Sequence, residues 1–302
     1  PDNLVEEINN YSICAGVIAR TLDFDVIHSH DWLTYPAGIH AKQVTGKPMV
    51  IHVHATEFDR SRGKPNPTVF GIELDGMRNA DHIITVSNLT RDTVINKYGM
   101  DPAKVTTVHN AVTPLSPDLL DIKMPKGKDK VVTFLGRITM QKGPEYFVEA
   151  VLKNNHNVRF VMAGSGDMMN KMIDLAARRG IADRFHFPGF QKGRQVYEML
   201  AASDVYVMPS VSEPFGISPL EAMQMGVPSI ISKQSGCAEI LTNVIKTDYW
   251  DIDAMADAIN AIITYPALYN QLRSDGLDEV NRITWDKAGQ KVIDIYHRVT
   301  GK

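Results

Sequence analysis

Two glutamates, Glu213 and Glu221, lie eight positions apart in "SEPFGISPLEAM", on either side of a Pro-Phe-Gly turn. Two carboxylates so spaced could exchange protons, hold the hydroxyls of a sugar, or simply mark the start of a helix. Ser218-Pro219-Leu220-Glu221 fits a capping box, with Ser218 as cap, Pro219 at the first helical position and Glu221 reaching back to the cap amide. That reading gives Glu221 a structural use without any ligand. Glu213 precedes the turn, where no cap role is open to it, and Gly216 leaves the backbone free to present amides; Glu213 is therefore expected to accept hydroxyl groups. A second cluster is "GRITMQKGPE". Gly136, Arg137, Lys142 and Gly143 precede Pro144 in a helical first turn, and two cations beside free helix amides could hold phosphate. The bland alternative is a solvated Arg and Lys on a turn. In "GSGD" the glycines Gly164 and Gly166 would let backbone approach a ligand, although a tight strand-to-helix turn needs glycine anyway. Neither a Walker-A loop nor the full dinucleotide fingerprint is present.

"HSHDW" and "HVHATE" bring four histidines, His28, His30, His52 and His54, together with Asp31 and Glu57. The histidine number could suggest a metal, but we expect each pair to be divided between opposite strand faces, one ring packed and the other turned to the ligand, and we assign no metal. "DID" (251–253) resembles a cation-holding D-x-D. Its place before a helix makes an N-cap the better use. Cys14 and Cys237 have no metal-ligand spacing and are expected to be small buried residues.

These residues need elements to position them. Short β-branched runs alternate with helix-period segments throughout, which is the pattern of parallel α/β units. Strands are expected at 25–28, 49–53, 82–86 and 104–108, then at 131–135, 158–163, 184–188, 204–208 and 228–232. Ser87 should cap a helix that Gly99 ends. The segment 113–130, with three prolines among its lysines, reads as a linker. In open α/β sheets ligands sit beyond the carboxyl ends of strands, and there the clusters above fall. The first half opens on a helix at roughly 8–21, with no strand before it.

At 302 residues, 44% hydrophobic and 22% charged, the composition is that of a soluble globular protein of two domains. No transmembrane run and no signal-peptide pattern are seen, and a cytoplasmic location is the default expectation. A net charge of −3 gives no global reason to bind nucleic acid.

In series, "FLGRITMQKGPEYFVEA", "VMAGSGD", "FPGF", "SEPFGISPLEAMQMGVPSIIS" and "TWDKAGQKVIDIY" resemble the family-4 retaining glycosyltransferases of the GT-B fold. "HSHDW", "HVHATEFDR" and "VHNAVT" are similar to the branch with bacterial glycogen-synthase-like enzymes. The resemblance implies two Rossmann-like domains facing each other across a cleft: an acceptor-side domain at 1–114, a linker at 115–130, an NDP-sugar-binding domain at 131–284, and a helix at 285–302 returning to the first domain. It implies that Arg137 and Lys142 hold the diphosphate and that Glu213 holds sugar hydroxyls. Gly136, Gly164, Gly216, Ile217 and Ser218 would line the donor site, Glu221 would bind ribose and Phe190 would contact the base. His54 would lie near the donor sugar and Asp31 on the acceptor side. Transfer would need no metal and no cofactor. The partners implied are an ADP-, UDP- or GDP-sugar, glucose favoured, and a sugar or glycan acceptor.

The family's first domain opens with a strand and a glycine-rich loop that have no counterpart here. The first domain is accordingly expected to be incomplete, the chain to be impaired in transfer, and self-association to follow from exposed edges. Two rivals stay open: a non-catalytic sugar-nucleotide-binding module, and an NDP-sugar epimerase of the same fold.

Overall fold

The computed structural model describes residues 3–61, 63–125, 127–153 and 158–302. The chain forms two compact units, Pro1–Asn110 with Asp286–Lys302, and Ala111–Trp285. The first unit contains β1 (Ile27–His30), β2 (Met49–Val53), β3 (His82–Thr85) and β4 (Val105–Thr107), hydrogen-bonded in parallel in the order β1-β2-β3-β4. The second contains β5 (Lys130–Leu135), β6 (Val158–Ala163), β7 (Phe185–Gly189), β8 (Val205–Met208), β9 (Ser229–Ser232) and β10 (Ile245–Thr247). Its parallel order is β10-β9-β8-β5-β6-β7.

Parallel strands are covered by helices on both faces, so their side chains are apolar throughout rather than alternating. Every residue of β2, β3, β8 and β9 is buried. In the second unit Phe134, Phe147, Phe160, Met162, Val207 and Ile259 belong to one core. In the first, Met49, Ile51 and Ile83 pack with Tyr35 and Met77 on one side of the sheet, and on the other Val50, Ile84 and Val108 pack with Ile295 from the closing helix Trp285–Thr300. The opening helix, Leu4–Ala19, packs through Gly16 against the ring of His40 and leaves Val5, Tyr11, Ile13 and Val17 exposed.

Local signals behave as their chemistry requires. Ser87 caps Asn88–Tyr98 by accepting from the Thr90 amide, and Gly99 closes it at φ 69°. Asp251 caps Ile252–Thr264 through the Ala254 amide. Other expectations are corrected. β1 begins two residues later than expected, because Ile27 is the first residue to register with β2, opposite Met49. The segment read as linker holds a short helix, Pro117–Leu120, and the units divide at 110/111. Cys14 is exposed; Cys237 is buried, and burial pushes its thiol up to about 12.

Candidate functional site

The second sheet grows outward from β5 through β6 to β7, then returns to the other side of β5 with β8. The point where strand order reverses, between β5 and β8, leaves a crevice beyond the strand carboxyl ends that helices do not cover. The loop after β5 carries Gly136, Arg137 and Lys142, and the loop after β8 carries Glu213, Gly216, Ile217, Ser218 and Glu221.

These loops are locked together. Lys142 forms an ion pair with Glu213, 71 positions later, and the Ser210 hydroxyl donates to the same carboxylate at 3.3 Å. Gln141 ties the loops a second time: its amide nitrogen donates to the Ser212 carbonyl at 3.0 Å, and its amide oxygen accepts from the Arg137 guanidinium at 3.1 Å. The Val211 amide donates to the Gln141 carbonyl at 2.9 Å. Arg137 itself is exposed, its reach set by Gln141. Gly143 sits at φ 64° against the Pro209 carbonyl, where any side chain would collide, so the turn after Lys142 must be glycine.

The loop after β6 packs by backbone on the loop after β5. Ile138 donates to the Ser165 carbonyl at 2.9 Å, and Met168 donates back to Ile138 at 3.0 Å. A Cβ on Gly164, at φ 145°, would overlap the Gly136 carbonyl oxygen, and one on Gly166 would overlap Ile138. These glycines are needed for loop-on-loop packing whether or not a ligand is near. Phe190, just beyond β7, exposes 68% of its surface.

Two readings of the glutamate motif change. Ser218 does not cap: the helix Ser218–Gln224 has Ile217 at its cap, in αR geometry with no side-chain cap bond, and Pro219 lies at the second position. Ser218 hydrogen-bonds instead to the buried Tyr206 hydroxyl. Glu221, freed of the box, has no hydrogen-bonding partner among the described residues, and burial pushes its carboxyl up. Glu213, expected to be without a structural role, is the buried half of the ion pair, and its backbone bridges to Ser235. Gln141, Ser210 and Tyr206 were not singled out from the sequence. A neutral residue inside a loop and a tyrosine inside a strand carry no periodic signal.

In the first unit Asp31 is the one residue other than glycine at positive φ among those described, 58°, and its Oδ1 accepts from the backbone amides of His54 at 2.8 Å and Ala55 at 3.4 Å. It therefore shapes the loop after β2. The four histidines are not divided between faces. Side chains two apart on a strand point the same way, and the rings of His28, His30, His52 and His54 stack on one face, with centroids 4.3 Å apart within β1 and 4.4 Å apart for His52 and His54. Burial foremost, with the neighbouring rings, holds His28 at about 4 and His52 at about 2.

A family model described as "Glycosyl transferases group 1" matches residues 118–278, more than half of the 302. The chain belongs to this family. A second model, "Glycosyltransferase Family 4", matches residues 11–114 of this glycosyltransferase. An uncharacterized glycosyltransferase of Methanocaldococcus jannaschii is 29% identical over 293 residues, covering 90% of this chain and 75% of its own. A glycogen synthase of Mycobacterium tuberculosis is 27% identical, over 80% of this chain and 61% of its own. Among solved structures, a sucrose-phosphate synthase from Thermosynechococcus elongatus superposes with a TM-score of 0.85 at 20% identity, covering all of this chain and 80% of that one. Anabaena HepE in complex with UDP-glucose gives 0.79 at 20% identity, over 93% and 81%. At such identity the structures speak for the fold. Together with the family matches, they make this chain a GT-B, family-4 glycosyltransferase that uses a nucleotide-sugar and needs no metal for transfer. Among the described residues no helix is long and apolar enough to cross a membrane.

Proposed function

We propose that the glycosyltransferase moves glucose from UDP-glucose or ADP-glucose to a sugar or glycan hydroxyl with retention at the anomeric carbon. The observation that carries this reading is the Lys142–Glu213 pair at the switch point, which joins the cationic loop to the glutamate loop. As the bond from the anomeric carbon to the β-phosphate oxygen breaks, the diphosphate gains one negative charge beside the two it already carries. Arg137 and Lys142 are the fixed cations that meet them, and charge placed in advance costs no reorganisation in the transition state. Lys142 is shared: Glu213 holds the ammonium in place and keeps its second oxygen, Oε1, for sugar hydroxyls. The amides of Gly216, Ile217 and Ser218 contribute beside it. Glu221, half-buried and without a hydrogen-bonding partner among the described residues, gains the ribose hydroxyls as donors, and Phe190 offers an open face to the base. Gly136 and Gly164 keep their loops low enough for the diphosphate to approach.

In the retaining step the acceptor oxygen forms its bond to the anomeric carbon on the face from which the phosphate departs. The acceptor proton passes to the departing phosphate oxygen, so neither glutamate exchanges it. Asp31 and His54 serve the acceptor side and the donor sugar. The names of relatives support the choice of donor: HepE was solved with UDP-glucose, and glycogen synthases are among the matches.

The test pairs a thermal-shift panel of UDP, ADP and GDP with proton NMR of the glycoside formed from UDP-glucose or ADP-glucose and maltooligosaccharide. Stabilisation by UDP or ADP and an α-configured product are expected. Stabilisation by GDP alone, or a β-configured product, overturns the reading.

A further inference from the structure

The transfer reading uses His54 alone of the four stacked rings. His28 and His30 lie on β1, opposite Val50 and His52 of β2, and His54 follows one residue beyond β2. His30 Nδ1 meets His54 Nε2 at 2.9 Å, and His28 Nδ1 meets the Tyr296 hydroxyl at 2.5 Å. The remaining nitrogens are unusual. His52 is 92% buried, as its 8% exposure shows, yet neither ring nitrogen has a partner, and Nε2 of His28 is equally orphaned. Buried polar atoms are almost always satisfied, so three orphans in one cluster point to a group that satisfies them.

The donor set says what kind of group. His28, His30 and His52 each offer a nitrogen, all within 4.8 Å of one another. Asp31, the adjacent carboxylate, commits Oδ1 to the His54 and Ala55 amides. Imidazoles alone suit zinc, nickel, copper or cobalt, whereas magnesium, calcium and manganese ions prefer oxygen. We propose that His28, His30 and His52 form a binding site for one divalent transition-metal ion of the zinc type, on the first unit and separate from the transfer chemistry. Tyr296 is its outer support. With the hydroxyl accepting from Nδ1–H, the His28 lone pair is on Nε2, the orphaned atom, and such a partner fixes both tautomer and ring direction in histidine metal sites.

A metal lies in the plane of each ring about 2.0–2.1 Å from its nitrogen. The rings of His28 and His52 are parallel to within 4°, so loading requires them to tilt until their lone pairs converge. Tetrahedral binding by these three leaves one position open for water.

The test uses untagged, chelator-treated and desalted full chain. Zn²⁺ is titrated in competition with a chromophoric chelator, and Co²⁺ is followed by its visible ligand-field bands. One equivalent of Zn²⁺ per chain with micromolar or tighter affinity, and an intense tetrahedral Co²⁺ spectrum, are expected. His52→Phe and His28→Gln should each weaken binding at least about 100-fold, Tyr296→Phe about tenfold, and His186→Gln, at an exposed site on β7, not at all. Circular dichroism establishes folding of each variant, and two independent ligand variants cover the case in which one fails to fold. Absence of stoichiometric Zn²⁺ binding, an octahedral Co²⁺ spectrum, or binding unchanged in a folded His52→Phe or His28→Gln chain overturns the proposal.

Discussion

The Lys142–Glu213 pair separates stability from chemistry. Its side chains are 19% and 10% exposed, so both charges are largely out of water. Removing one member of a fully buried pair strands the other and costs about 3–5 kcal/mol. Here the stranded group keeps some help, since Lys142 retains contact with water and Glu213 retains the Ser210 hydroxyl. We expect about 2–3 kcal/mol for Lys142→Met and for Glu213→Gln alone. The double variant strands no charge, and it should cost less than the sum of the two by about 2 kcal/mol. Urea unfolding in a Trp32→Phe background reads this, because the remaining tryptophans, Trp250 and Trp285, report on the second unit. Transfer should be lost in all three, so that the double variant is a well-folded chain without activity. Single variants that each cost under about 0.5 kcal/mol, or costs that simply add, would refute the reasoning by showing the charges to be screened from each other.

Acid should weaken the first unit. His28 and His52 titrate below the ordinary 6.5 in the folded chain, so on acidification the unfolded chain binds protons first, and stability present above pH 6.5 is lost as pH falls toward about 4 for His28 and about 2 for His52. At up to about 1.4 kcal/mol per histidine per pH unit, with the raised carboxyl of Glu73 opposing, the loss between pH 7 and 5 should be about 2–4 kcal/mol by Trp32-monitored urea unfolding; a flat profile contradicts it. Gly164→Ala should cost about 3 kcal/mol or more, seen as a collapse of the second unit's thermal transition, because its Cβ overlaps the Gly136 carbonyl. Phe190→Ala should leave stability within about 0.5 kcal/mol, given 68% exposure, yet weaken calorimetric nucleotide binding by about 1–3 kcal/mol if the ring stacks on the base.

Parallel strands were easy to read, since the fully buried Met49–Val53 and the largely buried Val158–Ala163 are mostly apolar or β-branched, with turn residues at their ends. β10, three residues long with an exposed Lys246 at its centre, has too little pattern to stand out. The G-R-x4-K-G and E-x7-E motifs located the loops, but not the ion pair between them, because a contact across 71 positions leaves no local trace. Ser218 has the right spacing for a cap, but the chain already turns helical at Ile217, and the hydroxyl goes to Tyr206 instead. The histidines were misjudged by applying the strand period with the wrong sign. Alternation separates neighbours and reunites residues two apart.

The closing helix has a consequence for how the chain is made. The first unit is built from Pro1–Asn110 and Asp286–Lys302, so 175 residues, 111 through 285, are synthesised between its two parts. At about 5–20 residues per second that interval lasts roughly 10–35 s. During it Val50, Ile84 and Val108 lack Ile295, and His28 lacks the Tyr296 hydroxyl. The second unit, continuous in sequence, can close while the first still waits. The first unit is therefore closed only after the second has been made, and a ribosome that stalls before Asp286 holds a whole second unit while the first keeps an open sheet face.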